Sequence, residues 1–443
     1  MSRPKNIMEK LVSLCKTRGF IFPTAEKYGG LQGFWDWGPL GVELKNNIKK
    51  MWWQKFVQQK DNVVGLDSAI ITNPEVWEKS GHLKNFRDKL VECKKCHRRF
   101  KEPEHNILDH SAPPFTCPYC GSEDLEKAKD FNTMFKTFVG PAENSASTAY
   151  LRPETAQNIF VNFENVMNSQ RLKLPFGIAQ IGKAFRNEIT PGNFIFRTRE
   201  FEQMELEYFI HPKEDKKWFD YWVKESKKWF LDLGLKKENL KEHKQSKEEL
   251  AHYAKETIDL LYNWPFEGFS ELIGIANRTD YDLKAHNFKY KEDKEEFIPY
   301  VIEPSFGVER PALAFLLDAY EEVEGGRTKT TKSTKNKEVV LRLNKHLAPY
   351  KVAVLPLSRK EPLKKLAKEI HHSLRKEFMI TYDESASIGR RYRRQDEIGT
   401  PYCVTVDFDS LDDKKVTVRD RDTMKQDRIF IKELPDYIKE KLA

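Results

Sequence analysis

Two short segments of the sequence place an arginine close to a glutamate at the end of an apolar run. They are Phe185-Arg186-Asn187-Glu188 and Gly307-Val308-Glu309-Arg310. A guanidinium group stays charged at every relevant pH, and its forked donors match phosphate oxygens. The two segments therefore predict a site that grips a nucleotide triphosphate without a glycine-rich phosphate loop.

Residues 197–205, between those two segments, form a strand-like stretch with an unusual density of charge. Alternate side chains of a strand share a face, so Phe201, Gln203 and Glu205 lie together, while Met204 faces the other way with the apolar residues after it. An aromatic ring, an amide and a carboxylate in a row suit a bound ligand and a solvated sheet face equally well. The two nearby arginines favour the ligand.

Four of the six cysteines occur as Cys93-x-x-Cys96 and Cys117-x-x-Cys120, with twenty residues between the pairs. This spacing and the softness of four thiolates suit a tetrahedral zinc site. Two unrelated cysteine pairs in a reducing compartment are the alternative, which the spacing disfavours. Because the protein would fill all four ligand positions, the predicted zinc is structural and not catalytic.

The bulk composition indicates a soluble protein with more than one domain. The chain has 443 residues, of which 76 are Lys or Arg and 68 are Asp or Glu, for a net charge of +8. This length exceeds one ordinary core, and the small positive excess gives only a modest preference for a nucleic-acid partner. Because no apolar run has the length of a signal peptide or a membrane span, we expect a cytoplasmic protein with no membrane partner.

The elements that must position these side chains follow from hydrophobic periodicity. Gly38-Pro39 opens a long amphipathic helix that continues to Phe56, because apolar residues recur there every three or four positions. Residues 91–130 interrupt the pattern as a cysteine-bearing insertion, and residues 212–264, rich in lysine and tryptophan, are interpreted as an exposed helical insertion. Strands are predicted at residues 63–66, 70–71, 176–181, 193–196, 201–210, 267–276 and 301–304, and a further helix at 311–320.

The predicted domain organisation has two parts. Residues 1–340 form one domain that contains both insertions. Residues 321–337 are charged, rich in threonine and nearly devoid of apolar residues, which indicates a linker or a hairpin tip. Residues 345–443 alternate strand and helix, which is typical of a small α/β domain.

Several motifs together carry a resemblance to a known family. The segment at Arg186, continued by Arg199-Glu200-Phe201, resembles motif 2 of the class II aminoacyl-tRNA synthetases, and the segment at Arg310 followed by Pro311 resembles motif 3. The long helix and the strands that end at Pro74 are similar to motif 1, the dimer element of that class. Narrower matches to the homodimeric type of glycyl-tRNA synthetase are Trp35-Asp36-Trp37-Gly38-Pro39-Leu40-Gly41, Trp77-Glu78-Lys79-Ser80-Gly81-His82, Leu151-Arg152-Pro153-Glu154-Thr155-Ala156-Gln157, Arg199-Glu200-Phe201-Glu202-Gln203-Met204-Glu205 and Glu303-Pro304-Ser305-Phe306-Gly307. Any one motif alone is weak, but five in the right order are highly specific.

The resemblance implies a fold with three parts: an α+β catalytic domain with an antiparallel sheet, a zinc-ribbon-like insertion, and a C-terminal α/β anticodon-binding domain. The likeness runs from about Lys16 to residues 389–401, which match the anticodon-binding domain. We expect the basic cluster at residues 390–394, which includes Tyr392, to contact RNA bases by charge and stacking. A solvated basic loop is the less favoured alternative.

The resemblance also implies a two-step reaction in a homodimeric enzyme. Glycine and ATP, with Mg²⁺, would give glycyl-adenylate and pyrophosphate, and the glycyl group would then pass to the 3′ end of tRNA(Gly). No side-chain nucleophile is needed, so positioning and electrostatics would do the catalysis.

By the same resemblance, the two motif arginines are the catalytic residues. Arg186 would reach the α-phosphate and Arg310 the outer phosphates, while Phe201 would stack on adenine. Glu271 would support the magnesium ion, which prefers oxygen ligands. The implied ATP-binding set is Arg186, Asn187, Glu188, Phe196, Arg197, Thr198, Arg199, Glu200, Phe201, Glu271, Leu272, Gly307, Val308, Glu309 and Arg310.

Glycine has no side chain to hold, so a selective pocket must exclude larger amino acids by size and bind the ammonium group tightly. The resemblance gathers Glu154, Glu205 and Glu303 around that group, with Ser305 closing the space that a methyl group would need. Glu154 also suits the first turn of a helix, which is the alternative for that residue. The implied glycine-binding set is Arg99, Glu154, Phe201, Glu202, Gln203, Met204, Glu205, Glu303, Pro304, Ser305, Phe306 and Gly307.

Two rival functions are compatible with the same motifs. One is a synthetase-like ligase that adenylates another small amino acid or a protein target. The other is a catalytically silent paralogue that binds nucleic acid as an accessory subunit. Silent paralogues typically lose the motif arginines, whereas Arg186 and Arg310 are both present.

Overall fold

The largest part of the protein is built on a seven-stranded sheet, which we call the central sheet. The computed structural model describes residues 6–102, 115–292, 295–325, 327 and 337–443. Neighbouring strands of the central sheet run antiparallel, except for one parallel strand at its edge. Across the sheet they are Leu240–Lys244, Glu256–Trp264, Gly268–Thr279, Tyr300–Gly307, Glu200–Ile210, Phe176–Phe185 and Val63–Gly65. The predicted antiparallel sheet is confirmed.

A long hairpin in this sheet positions the charged strand identified in the sequence. Strand Phe176–Phe185 pairs with strand Glu200–Ile210 over ten residue pairs, and Gln180 lies opposite Glu205. The pairing ends at Phe185, so the following Arg186 stands at the rim of the sheet. The register therefore places the motif arginine beside the ligand-facing side chains of the charged strand.

Four helices cover one face of the central sheet and form the main hydrophobic core with it. Their bounds are Ile7–Arg18, Pro39–Trp53, Asp215–Asp232 and Glu309–Ala319. Helix Pro39–Trp53 begins with proline, which loses no hydrogen bond at the first helical position, and continues into one wider turn at Gln54–Gln58. Its Trp52 and the next turn's Phe56 pack on Phe306 of the sheet, with ring centroids 6.0 and 5.2 Å from that ring. The predicted long helix and its aromatic seam thus form the core.

The interpretation of residues 212–264 as an exposed helical insertion is wrong. Only Asp215–Asp232 forms a long helix there, and strands Leu240–Lys244 and Glu256–Trp264 belong to the central sheet. The helix is not exposed, because Trp222 and Trp229 are buried in the main core. Its tryptophans follow helical spacing and face the sheet, while the lysines between them face solvent.

The predicted strand at residues 193–196 is also wrong, because the structure describes these four residues as a turn. Asn193 and Phe194 have φ angles of 55° and 62°, which belong to the left-handed region and form a turn. The apolar side chains of Phe194, Ile195 and Phe196 are nevertheless buried. Burial of a loop explains the apolar run that resembled a strand.

Smaller elements surround the central sheet. Strands Arg99–Lys101, Arg87–Glu92 and Lys129–Asn132, between which the paired cysteines lie in the chain, form a three-stranded sheet that we call the cysteine-bearing sheet. No helix in the described part of the chain is long and apolar enough to cross a membrane. The smaller strands are Ile21–Pro23 and Trp35–Trp37; Ile71–Thr72, Thr148–Leu151 and Lys136–Phe138; Arg99–Lys101, Arg87–Glu92 and Lys129–Asn132; Tyr290–Glu292 and Glu295–Phe297; and Tyr320–Glu324 and Lys337–Leu341. The shorter helices are Glu26–Tyr28, Pro74–Lys79, His82–Asn85, Ser145–Ser147, Ala156–Phe160, Phe163–Gln170, Pro212–Glu214, Lys237–Asn239 and Tyr281–Ala285.

The C-terminal part has its own mixed five-stranded sheet and a separate hydrophobic core, as an α/β domain requires. The hairpin of Tyr320–Glu324 and Lys337–Leu341 precedes it, and most of the tip of that hairpin lies outside the described residues. Across the sheet the strands are Ile380–Tyr382, Val352–Pro356, Tyr402–Val406, Lys415–Asp420 and Gln426–Phe430. The helices are Glu361–Leu374, Ile388–Glu397, Asp409–Asp413, Ile431–Glu433 and Leu434–Leu442.

The basic cluster at residues 390–394 does not form the free stacking surface that we expected. Arg391 is buried and donates to backbone carbonyls, including those of Leu357 and Ala386. The Tyr392 ring is covered by the Arg419 guanidinium group, 4.8 Å from the ring centroid. Arg391 and Arg393 are both buried, and Arg391 ties the loops at Leu357 and Ala386 to this helix.

Candidate active site

A cleft opens on the face of the central sheet that lies opposite the main core. Side chains that alternate with core residues along strands Glu200–Ile210 and Tyr300–Gly307 form its floor. The members of the glycine set that line it are Phe201, Gln203, Ser305 and Gly307. The members of the predicted ATP set that line the cleft are Arg186, Glu188, Phe196, Arg197, Thr198, Phe201, Glu271, Leu272, Gly307, Glu309 and Arg310.

Arg186 lines this cleft and lies over two aromatic rings. Its guanidinium carbon lies 5.4 Å from the ring centroid of Phe86 and 5.4 Å from that of Phe201. Its Nε donates to the Pro153 carbonyl at 3.0 Å, and its backbone N–H donates to the Arg199 carbonyl at 2.9 Å. These contacts leave the outer guanidinium nitrogens directed at the cleft as donors for an anion.

Arg310 also lines the cleft, over the ring of Phe196 at 4.6 Å. It forms an ion pair with Glu271 at 3.1 Å and donates to the carbonyl of the same residue at 3.2 Å. The positive charge of Arg310 lowers the pKa of the Glu271 carboxyl. Glu271 is therefore ionised, as a cation ligand must be.

Glu205 is a buried carboxylate in contact with Gln203 and Ser305, which line the cleft. It accepts hydrogen bonds from the Thr155 backbone N–H at 3.0 Å, the Gln203 amide at 2.8 Å and the Ser305 hydroxyl at 2.8 Å. The Thr155 hydroxyl also donates to it. In the described parts of the chain, no lysine, arginine or histidine forms an ion pair with it. A carboxylate that is fully hydrogen-bonded but lacks a cation suits a cationic ligand.

The other two predicted carboxylates are each paired. Glu303 accepts from Arg278 at 2.9 and 3.0 Å, and Glu154 lies 3.3 Å from the His82 ring nitrogen. Burial alone would raise the pKa of Glu154, but the charges of His82 and Arg278 lower it below its usual value. Burial raises the pKa of Glu303, although the charge of Arg278 opposes this rise. Glu205, Glu154 and Glu303 thus interact electrostatically with one another, and each is in a different electrostatic state.

Comparison with known proteins decides the family. A glycine--tRNA ligase from Alkaliphilus oremlandii is 53% identical over 98% of this chain and 98% of its own length. One from Geobacillus kaustophilus is 54% identical over 98% of this chain and 99% of its own, and one from Thermobifida fusca is 50% identical over the full length of both. The chain belongs to the glycine--tRNA ligase family.

Family models and solved structures agree with that membership. The class II tRNA synthetase core domain (G, H, P, S and T) matches residues 135–320, and the anticodon binding domain matches residues 351–441. A prolyl-tRNA synthetase from Cryptosporidium parvum, solved with halofuginone and AMPPNP, has the same fold. It gives a TM-score of 0.67 at 16% identity and covers 100% of this chain and 77% of its own. The predicted class II synthetase fold is confirmed.

Several residues of the predicted glycine set of this family member do not face the cleft. Met204 and Phe306 lie in the main core, because the strand period turns them to the opposite face. Pro304 has the same parity as Phe306 and is buried. Glu202 shares that face and forms an ion pair with Lys45 at 2.6 Å.

Arg99 is also not at the cleft. It lies on strand Arg99–Lys101 of the cysteine-bearing sheet, where it is exposed and pairs with Glu92 at 2.7 Å. The structure therefore gives Arg99 no contact with the cleft.

Four residues of the predicted ATP set lie beside the cleft without lining it. Glu200 pairs with Lys183, and Val308 is part of the main core. The other two are Asn187, whose backbone N–H donates to the Thr133 carbonyl at 2.7 Å, and Arg199, which donates to the Glu188 carbonyl at 3.0 Å.

Three functional residues were missed in the sequence. Arg278 and Asp282 form a fully buried ion pair, with Nε 2.7 Å from a carboxylate oxygen. Arg278 lies at the end of strand Gly268–Thr279 and Asp282 in the short helix that follows, so a pair of opposite charges at the end of an apolar strand is the signal that indicates them. Glu207 is the third, and the alternation that gave Phe201, Gln203 and Glu205 leads directly to it. Among the described residues, neither carboxyl oxygen of Glu207 has a hydrogen-bond partner.

The four paired cysteines lie together at the far end of the three-stranded cysteine-bearing sheet. Their sulfur atoms are all within 4.8 Å of one another. Cys93 and Cys120 are separated by 3.6 Å, as are Cys96 and Cys117. Tetrahedral zinc with Zn–S distances of about 2.3 Å requires sulfur separations of about 3.8 Å. The arrangement fits a four-thiolate zinc site.

Proposed function

We propose that this protein attaches glycine to the 3′ end of tRNA(Gly) in an ATP-dependent reaction that passes through glycyl-adenylate. The observation that carries the proposal is the buried Glu205 carboxylate, held by four donors without a cation, beside a cleft that Arg186 and Arg310 line. An ammonium group and a triphosphate are the two charges that this arrangement suits. Relatives named glycine--tRNA ligase support the same substrates.

In the first step, the glycine carboxylate oxygen attacks the α-phosphorus of ATP, and pyrophosphate leaves. Arg186 stabilises the charge that develops on the α-phosphate oxygens, and Arg310 holds the departing phosphates. Phe201 supplies a flat apolar surface for adenine at the outer end of the charged strand. In the second step, a terminal hydroxyl of the transfer RNA attacks the glycyl carbonyl, and AMP leaves. The side chains orient the substrates and stabilise the charge that develops on the phosphates, but none forms a covalent intermediate.

Selection of glycine follows from the surroundings of Glu205. The ammonium group is bound by Glu205, with Glu154 and Glu303 beside it, and the Ser305 hydroxyl fixes Glu205 from the side where a methyl group would lie. A larger amino acid would have to displace this hydroxyl and leave buried hydrogen-bonding groups unpaired. Discrimination against alanine and serine is the expected result.

Two metal ions fit the residues present. Glu271, ionised beside Arg310, supplies an oxygen ligand to Mg²⁺, and such an ion would neutralise charge on the leaving pyrophosphate. Cys93, Cys96, Cys117 and Cys120 would hold a structural zinc ion. The zinc-binding insertion spans residues 91–130 within a catalytic domain of residues 1–340.

The remaining parts of the proposal concern partners. Residues 345–443 form the anticodon-binding domain that contacts tRNA(Gly), in agreement with the family model over residues 351–441. By resemblance, helix Pro39–Trp53 is the counterpart of the class II dimer element, which supports a homodimer. A cytoplasmic location is a separate part of the proposal. Measurement of the mass in solution tests the dimer.

ATP–pyrophosphate exchange with glycine, alanine and serine tests the activity. We expect exchange with glycine and a rate at least about a hundredfold lower with the larger amino acids, because an added group leaves buried polar atoms unpaired. Equal activity with alanine or serine would contradict the assigned specificity. Absence of any exchange, with tRNA binding intact, would identify a silent paralogue instead.

A further inference from the structure

The cysteine-bearing sheet begins next to a residue that contacts Arg186 and ends next to a residue that bonds to Asn187. Phe86 directly precedes strand Arg87–Glu92, by which the chain enters this sheet, and Thr133 directly follows strand Lys129–Asn132, by which it leaves. Arg87 and Asn132 are paired in register, so the entrance and exit are side by side. The base of the cysteine-bearing sheet is therefore a fixed junction of two strands.

Hydrogen bonds join this junction to the motif that carries Arg186. The Thr133 backbone N–H donates to the Phe86 carbonyl at 3.2 Å, and the Thr133 carbonyl accepts from the Asn187 N–H at 2.7 Å. A side chain adds a further bond, since the Asn132 amide donates to the Leu83 carbonyl at 3.2 Å. The junction is thus tied to the residue immediately after Arg186.

Phe86 completes the surroundings of the Arg186 side chain. The guanidinium group lies over its ring as it does over that of Phe201, with both ring centroids 5.4 Å from the guanidinium carbon. The same ring contacts His82 at a centroid distance of 5.5 Å, and His82 pairs with Glu154. One aromatic side chain therefore contacts both the arginine and the histidine that pairs with Glu154.

An arginine side chain has many rotamers, and holding it in one costs conformational entropy that its contacts must offset. Aromatic faces attract a guanidinium group and leave its N–H edge free for a phosphate. Phe201 cannot hold the Arg186 side chain alone, because the proposed function assigns the Phe201 ring to adenine. Phe86 is the ring that remains when the nucleotide is bound.

We propose that Phe86 is a positioning residue for Arg186 and that the base of the cysteine-bearing sheet is a wall of the ATP site. The inference rests on the proposed function, because it requires Arg186 to act on ATP. It assigns a role in nucleotide activation to a segment outside the class II motifs. Phe86 itself touches no reacting atom.

Phe86→Leu and Phe86→Tyr test the proposal in the full-length protein. Leucine keeps apolar bulk but removes the ring, so kcat/KM for ATP in glycine-dependent pyrophosphate exchange should fall by about tenfold. Tyrosine keeps the ring and should restore the rate to within about twofold of the unchanged protein. ATP affinity measured without glycine should weaken in Phe86→Leu, which gives a readout apart from turnover.

Phe131→Leu is the matched control, since Phe131 lies on strand Lys129–Asn132 of the same sheet and is not paired with Arg186. It should leave ATP kinetics unchanged. Equal rates for Phe86→Leu and the unchanged protein, or equal losses for leucine and tyrosine at position 86 with both variants folded, would overturn the proposal. Failure of the proposed function itself is distinguishable, because the unchanged protein would then show no exchange with glycine.

Discussion

Arg278 donates through a single guanidinium nitrogen to both carboxylate oxygens of Glu303, at 2.9 and 3.0 Å. Its other two nitrogens donate to Asp282 at 2.7 and 2.9 Å, and the Tyr253 ring covers it at 3.9 Å. One buried cation, Arg278, thus forms ion pairs with two buried carboxylates. Because Arg278 is already engaged, it is not available to neutralise Glu205, which is left for a cationic ligand.

We expect Arg278→Ala to be among the most destabilising single substitutions in this protein. Removing the guanidinium group leaves Glu303 and Asp282 buried without their cation, which costs about 3–5 kcal/mol. Urea unfolding should show this loss. Lys289→Ala breaks the exposed ion pair with Glu296 and should cost less than about 1 kcal/mol. Similar losses for both variants would contradict the role given to Arg278.

Glu205→Gln should weaken the use of glycine more than the use of ATP. The amide keeps the shape of the side chain but removes the charge that we assign to the ammonium group. A hydrogen bond to a charged group contributes about 1.5–3 kcal/mol, so kcat/KM for glycine should fall by about 10- to 100-fold. The KM for ATP should stay within about twofold.

The matched control for this variant is Glu256→Gln. Glu256 lies on another strand of the central sheet and pairs with Lys244 at the surface. It should leave both substrates unaffected. A larger change in the KM for ATP than in that for glycine would place Glu205 at the nucleotide and not at the amino acid.

Local motifs made one part of this site predictable from sequence. Arg186 and Arg310 end apolar runs, and strand alternation alone puts Phe201, Gln203 and Glu205 on one face. The pairing of Arg278 with Glu303 was not predictable, because it depends on how strand Gly268–Thr279 is aligned with its neighbour, and alternation within one strand carries no register.

The error at residues 212–264 has a similar physical cause. Helical spacing of tryptophans is consistent with helix Asp215–Asp232. The sequence pattern of an amphipathic helix is the same, however, whether the helix packs on a core or on a partner. Strand Glu256–Trp264 alternates in burial only because the sheet supplies two different faces. Tertiary context, and not local propensity, decided both elements.

Glu207→Gln should change how stability depends on pH. Burial raises the pKa of the Glu207 carboxyl well above its usual value, and the nearby Glu303 adds to the rise. The folded protein therefore keeps a proton that the unfolded chain loses above about pH 4.5, so this group lowers stability as pH increases. Each pH unit above that value costs the unchanged protein about 1.4 kcal/mol relative to the uncharged amide.

Urea unfolding of both proteins at pH 5.5, 6.5 and 7.5 measures this effect. The stability of Glu207→Gln relative to the unchanged protein should rise with pH across this window. Parallel pH profiles would show that Glu207 is ionised in the folded state, in which case it must have a partner that offsets its charge.

Removal of zinc should expose four of the six thiols and no more. With the ion bound, the four sulfur atoms that lie within 4.8 Å of one another are ligands and should react slowly with a chromogenic disulfide reagent. After chelation those four should react, whereas Cys15 and Cys403 should stay slow because burial raises the pKa of each thiol to about 12. Metal analysis should give one zinc per chain, lost in Cys96→Ser and kept in Cys15→Ala. Four fast thiols in untreated protein that contains no metal would remove the zinc site and leave the cysteine-bearing sheet held by its strands alone.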